Sequence, residues 1–527
     1  MLSCALSFLG LIALDRQFAG ALPQIGSTAL ATGSAVPGPL GPGRDADGAD
    51  GEVDTAVGSV IGESAAFGGL TTERFRPDPS VWVDAASSGR PWSALGATEG
   101  LLTFRGNPTR TFHGAGPMPA QPSVQWTFAI GCSNSSVAGV AKQWCGSGWT
   151  GQPVVFPAPA GRPADSPDWW VGFGAYNQRI NLLDPATGDE VLPSYRTGDI
   201  VKGTVTVDPD GFPLLYTGSR DDFYHVVALD RDEPEALWRL SAEAVQPTLW
   251  NNDWDGSGLV IDDYLFIGGE NGRFFVVKLN RDYDADGLVT VDPEITFSTE
   301  SWDSELLDAV NDTQVSVENS VAISGDVVYF TNSAGLVQGW DISGLPEGDD
   351  PERVFRYWSG DDTDATIVID DEGMLYLGAE YERGNQRSRD LGQIIKLDPS
   401  NPDDPLVWSR EANEGLGSGI WATPALWGEL LIVATDGGQV LGLDRATGEE
   451  QWVLELEGPL WSSPVVVDDV LIQADCGGRL NAFDLVDGRP RARWSVDLGG
   501  CIESTPAVWN GWIYVGSRNG TFYALSD

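Results

Sequence analysis

The chain has 527 residues, 42% apolar and 10% aromatic, enough to bury a large core. Acidic side chains outnumber basic ones 77 to 31, for a formal charge of −46 and a pI near 4.1, which excludes nucleic acid because phosphate binding needs a cationic face. With His113 and His225 as the two histidines, a multi-histidine zinc site and imidazole acid–base catalysis are also poorly supported.

Residues 1–21 read as a signal peptide: an apolar stretch, Ala5 to Leu14, leads to Ala19-Gly20-Ala21, a small-x-small cleavage form, although a basic n-region is missing. Residues 22–95 have the Gly/Ala/Pro/Ser/Asp composition of a disordered tether. No other segment is apolar and long enough to cross a bilayer as a helix. Setting aside Cys4, an even set of four cysteines remains, as suits an oxidising, extracytoplasmic setting. Three pairings are allowed, and the local ones, Cys132–Cys145 and Cys476–Cys501, are expected.

From residue 96 to 527 the pattern is all-β, with short Val/Ile/Leu/Tyr runs between Gly, Asp and Asn turns. Eight strands end in a turn-starting residue: Asp184, Asp230, Asn280, Asp341, Asp398, Asp444, Asp484 and Ser526. These anchors lie about 40 to 60 residues apart, the length of one four-stranded antiparallel propeller blade. A Trp-bearing strand follows several of them, at Trp238, Trp408, Trp452 and Trp494. After Ser526 there is no room for one. The spare copy is Pro122 to Phe128, so an eight-bladed β-propeller is predicted whose last blade is closed by this N-terminal strand, with Trp126 in a packing role.

In a propeller the turns between second and third strands share a face with the connections between blades. That face collects the four cysteines and the polar loops Trp250 to Asp255, Gly269 to Asn271, Asp361 to Asp364 and Glu380 to Arg389. The candidate binding residues are therefore Trp250, Asp253, Trp254, Asp255, Glu270, Asn271, Asp361, Asp362, Asp364, Glu380 and Arg383. Trp149, Trp421 and Trp461 precede innermost strands and are expected at the channel mouth, although propellers more often use Trp for packing. Arg383, Arg387 and Arg389 form one basic island, suited to neutralising nearby carboxylates or to holding an anion. Asp282, Asp284 and Asp286, followed by Gly287, match the first half of a calcium loop, with Leu288 and Asp292 as further ligands. Pro293 stands where a full loop has Glu, and the hairpin belongs to the opposite face.

From about Leu101 to Asp527 the chain resembles the PQQ-like β-propeller repeat family. The resemblance rests on Trp421-Ala-Thr-Pro424, Trp461-Ser-Ser-Pro464, Glu503-Ser-Thr-Pro506 and the hairpin Leu443-Asp444-x-x-Thr447-Gly448-x-x-x-Trp452. It implies the fold and leaves activity open. The family holds alcohol dehydrogenases with pyrroloquinoline quinone (PQQ) and calcium over the channel, and non-catalytic members such as the lipoprotein of outer-membrane protein assembly. The chain lacks the two adjacent cysteines common beside the quinone and any C-x-x-C-H haem site, while Glu270, Asn271 and Asp364 match the dehydrogenases' metal and catalytic residues only loosely. The expectation is thus an exported, monomeric, non-catalytic module binding a protein or cell-envelope component, with calcium as its candidate cofactor. The alternative is a PQQ- and calcium-dependent alcohol or sugar dehydrogenase.

Overall fold

The computed structural model describes residues 87–527, apart from 138–139, 150, 161 and 163–165. The expected signal peptide and nearly all of the tether lie outside these residues. Trp92, near the end of the stretch read as tether, is buried in the largest apolar cluster, so the propeller body begins before residue 96.

Eight sheets follow one another along the chain as the blades of a β-propeller, each built on four antiparallel strands, the last carrying a fifth, parallel strand. The first blade is Val154–Pro157, Trp169–Ala175, Arg179–Leu183 and Tyr195–Arg196. Inner strands such as Leu430–Ala434 and Val470–Ala474 are buried along their whole length, because both faces pack on neighbouring blades. The outer strands, such as Glu450–Glu455, meet solvent and carry the charged residues.

The last blade is assembled from both ends of the chain. Ser123–Ala129 pairs antiparallel with Thr521–Ser526, setting Trp126 opposite Ala524 and Phe128 opposite Phe522. Gly114–Ala115 adds a parallel strand on the inner edge, against Val508 and Trp509. Both edges of the C-terminal hairpin are thereby covered. Trp126 Nε1 also donates to the Pro185 carbonyl at 3.1 Å, on the hairpin turn of the first blade. The same contact recurs where Trp408 Nε1 donates to Arg445 O at 3.0 Å. There Asp444 Oδ1 accepts from the amides of Ala446 and Thr447, shaping the turn. Gly448, at φ +74°, presents a bare Cα to the Trp408 ring, which a Cβ would approach within 2.8 Å. The Asp-x-x-Thr-Gly hairpin is therefore a seat for the previous blade's tryptophan.

The centre of the ring is filled rather than open. Residues Leu101 to His113 run through it, reaching every blade. Main-chain bonds join Leu101 to Val155, Leu102 to Val207, Pro108 to Ile323 and Thr109 to Ile369, while His113 Nδ1 accepts from Val466 N and Gly114 pairs with Val508. Arg110 Nη2 donates to Ser257 O at 2.9 Å and its Nε to Val321 O at 2.7 Å. Arg105 Nη2 reaches the Thr423 and Pro424 carbonyls and its Nη1 that of Pro464. Both guanidinium groups are fully buried among carbonyls, and burial lowers each to about 9.

Replacing Trp126 by Ala should lower unfolding free energy by roughly 2–3 kcal/mol, below the fully buried value because the side chain is only partly buried. Arg110→Ala, which strands buried carbonyls, should cost about 3 kcal/mol or more. Urea denaturation checks both.

Candidate functional site

Each innermost strand is led by a Ser, Thr or Gln, and at six of the eight junctions its amide donates to the matching hydroxyl of the next blade. The bonds run Gln152 to Thr204 (2.6 Å), Ser257 to Ser320 (2.9 Å), Ser320 to Thr366, Thr366 to Thr423 and Thr423 to Ser463 (each 3.0 Å), and Ser463 to Thr505 (3.4 Å). Two residues ahead of the hydroxyls stand Lys202, Asp255, Glu318, Asp364, Trp421, Trp461 and Glu503. This register sets the channel mouth above the central segment.

On one side the mouth is acidic. Lys202, 6% exposed, pairs with Asp255 and lies 3.3 Å from Glu270 Oε1. Asn251 Nδ2 donates to Glu270 Oε2 at 2.8 Å, and Arg220 pairs with Asp253. Glu318 accepts from Ser316 Oγ at 2.6 Å. Further round, Glu503 is paired with Arg518 at 3.0 Å. Two groups gather three carboxylates each, with one oxygen per residue lying within 4.8 Å of the others: Asp255, Glu270 and Glu318, then Asp362, Asp364 and Glu380. Trp149, Lys202, Asp255, Glu318 and Asp364 enclose a cavity of about 10 Å³, the size of one water.

Crowding and desolvation move these groups together. Burial, then the neighbouring Glu270, pushes the Asp253 carboxyl up to about 7 despite Arg220. Burial also holds Asp364 at about 7. Glu318, Asp362 and Glu380 are raised well above the carboxylate range by burial and then by the charge of Asp364. Asp255 is raised by burial more than Lys202 offsets. Glu270 alone falls, since Lys202 and Arg220 together outweigh its burial.

The sequence-predicted residues separate into three kinds. Asp253, Asp255, Glu270, Asp362, Asp364 and Glu380 come together at the mouth. Others are structural. Trp254 is 1% exposed and packs on Tyr224 and Phe275, so it is core rather than a ligand platform. Asn271 bonds Ala242 O and Arg273 N, and Asp361 accepts the amides of Arg383 and Gly384. Trp421 and Trp461 are buried, the latter donating to Asp436 Oδ1 at 2.8 Å, so neither offers an open face. Arg383 donates to the carbonyls of Ser333 and Gln314 and lies 3.8 Å from Asp362, while Arg387 and Arg389 turn to Trp358 O and Gly384 O. The basic island is thus dispersed. Part of its loop is a short helix, Gln386–Leu391, capped by Asn385. Trp250 remains 39% exposed on the rim.

Both disulfides form as expected, Cys132–Cys145 and Cys476–Cys501. The Asp282–Leu288 stretch is an exposed hairpin in which Asp284 Oδ1 accepts the amides of Asp286 and Leu288, each at 2.9 Å. Asp292 gives its carbonyl to Asn280 Nδ2. None of these residues belongs to the two close carboxylate groups found among the described residues.

Sequence reasoning passed over Lys202, Arg220 and Glu318. The signal for two of them was present: Lys202-Gly-Thr204 and Glu318-Asn-Ser320 repeat the register of Trp421-Ala-Thr423 without its Pro. Arg220 carries no comparable mark.

Residues 390–491 match a family profile described as outer membrane protein assembly factor BamB. No curated protein sequence matches the chain. Among solved structures, a quinohemoprotein alcohol dehydrogenase from Pseudomonas putida HK5 aligns with a TM-score of 0.56 at 10% identity, covering 84% of this chain and 82% of that one. A europium-containing methanol dehydrogenase gives 0.52 at 12% identity, covering 81% and 98%. BamB from Moraxella catarrhalis gives 0.48 at 15% identity, covering 75% and 100%.

Because Asp253 and Asp364 have folded-state values near 7, above the ordinary carboxylate value of about 4, the folded chain binds the extra protons between those limits. Their contribution is complete below pH 4 and is lost as pH rises through 7. In EDTA, melting temperature should therefore climb as pH falls from 8 to 5.5, and Asp364→Asn should flatten the slope. Calorimetry across this range checks it.

Proposed function

We propose that this β-propeller, whose residues 390–491 match a family profile described as outer membrane protein assembly factor BamB, works as an exported, non-catalytic binding module that meets a protein or cell-envelope component through the polar face around its channel mouth. The carrying observation is how the mouth is filled. Leu101 to His113 occupy the axis below it, and the cavity above has room for about one water. PQQ is a three-ring molecule bearing three carboxylates. It would have to enter a space lined by Asp255, Glu318 and Asp364, where Lys202 is already paired with Asp255 and Glu270. Size and sign both oppose it, so the residues present do not fit the quinone. The two disulfides suit an extracytoplasmic setting, and no helix among the described residues is long and apolar enough to cross a membrane.

Two measurements test this reading together. Purified protein titrated with PQQ and calcium should show no quinone absorbance change and no dye reduction with an alcohol panel. A partner captured from envelope extract should be lost on Trp250→Asp, at the mouth rim, and kept on Tyr283→Asp, on the opposite face, both side chains being 39% exposed. Quinone-dependent dye reduction, or equal loss with the two variants, overturns it.

A further inference from the structure

A second cavity, of about 280 Å³, opens in the cleft between the fifth and sixth blades. One wall is the chain that leaves Leu406–Arg410, the outer strand of the fifth blade, and carries Glu411, Asn413 and Glu414. The other is the turn between Leu430–Ala434 and Gln439–Asp444 of the sixth blade, with Thr435 and Gly437. Asp436 N donates to Gly419 O at 3.0 Å, which ties the two walls together. Glu414 reaches across from one wall to the other: a Cβ on Gly437 would lie 2.6 Å from its Oε1. The loop that carries it is held by its own bonds, for Glu414 N donates to Ser418 Oγ at 2.8 Å, Ser418 Oγ to Gly415 O at 2.7 Å and Gly417 N to Tyr381 O at 2.9 Å. The same loop leaves Leu416 71% exposed.

The lining narrows the ligand. Among the described residues no Lys, Arg or aromatic side chain faces the cleft, so an anion has nothing to pair with and a sugar or base ring nothing to stack on. The volume, at the low end for ligand sites, suits a body of one or two side chains rather than a cofactor. Glu411 and Glu414 form no ion pair among the described residues, and the adjacent Arg410 is engaged by Glu450. Neither belongs to the close carboxylate groups that could cage a metal ion. An organic cation is what remains. The wall also has a donor to spare: Gln393, fully buried, accepts at Oε1 from Ala412 N and Asn413 Nδ2, both of which line the cleft, while its Nε2 has no acceptor. A ligand that carries an acceptor beside its cation, as a peptide does and a simple amine does not, answers both.

We propose that the cleft receives a Lys or Arg side chain from an extended segment of the protein partner, with Glu411 and Glu414 holding the cation and Leu416 covering an apolar neighbour of that residue. The inference rests on the binding-module reading for the source of the segment and adds its chemistry. The cationic head meets carboxylates, the methylene stem lies along the cleft, and the formal charge of −46 draws such a segment in.

The test is fluorescence anisotropy of the labelled peptide acetyl-Gly-Leu-Lys-Leu-Lys-Gly-amide titrated with the whole chain. The expected result is saturable binding that weakens with salt and falls at least about tenfold when norleucine replaces both lysines. Glu414→Gln should weaken the lysine peptide by a similar factor and Leu416→Ser by a smaller one, with melting temperatures unchanged because both side chains are exposed. Glu352→Gln, which removes the same charge from the exposed outer strand Glu352–Trp358 of the fourth blade, should leave binding as it is. Equal affinity in Glu414→Gln and the parent, equal weakening by Glu352→Gln, or displacement of the peptide by spermidine while Leu416→Ser has no effect would overturn the proposal. An envelope partner captured as well by Glu414→Gln as by the parent would overturn it too and leave the module reading standing, whereas cleft-dependent peptide binding with no partner captured would support the cleft and count against the module.

Discussion

The relay of amide-to-hydroxyl bonds around the axis is the constraint from which the rest of the molecule follows. Eight wedge-shaped sheets meet at their innermost strands, where a free backbone N–H would otherwise face a dry interior. Donation from each leading residue to the hydroxyl of the next blade satisfies that group and fixes the vertical offset between blades. Six of the junctions carry such a bond. Once the offset is fixed, the residue two positions earlier is delivered to the mouth of the ring in the seven blades from Lys202 to Glu503.

Filling the axis is the complementary requirement. A ring of this size leaves carbonyls pointing inward with nothing to accept from, and Arg105 and Arg110 provide donors long enough to reach several blades each. Their charge remains unpaired by carboxylates in these bonds, at an energetic cost visible in their lowered proton affinity. The same segment continues into the parallel strand on the inner edge of the last blade and then into the strand that closes its outer edge. One stretch of chain therefore plugs the channel and seals the ring.

With the floor occupied, chemistry at the mouth is limited to what fits between side chains. The carboxylates divide according to whether they form ion pairs with Lys202 or Arg220, and this division, rather than their number, gives the site its character. Asp255, Glu270 and Asp253 are internally paired. Asp362, Asp364 and Glu380 are buried close together with Arg383, 3.8 Å from Asp362, as the cation paired with them, and burial followed by their mutual repulsion raises their proton affinity.

Much of this architecture is local and therefore legible in the chain. Blade count, strand character, the Asp–Gly hairpins, both disulfides and the closing role of Trp126 depend on patterns repeated within about 50 residues or on one unmatched repeat. Half of the candidate site was legible too, because the polar loops fall on a face set by strand alternation. Trp254 and Asn271 misled because a polar, Trp-containing loop reads the same whether its side chains turn outward or into the seam between blades. The filled axis and the pairing of Lys202 with Asp255 and Glu270 escaped for a different reason. They join residues from separate blades, and Arg105 to residues more than 300 positions away, so no periodicity or spacing encodes them. Repeat identity and ring closure were thus set by sequence alone; which carboxylates pair with Lys202 was decided only when closure brought distant blades within Coulombic reach.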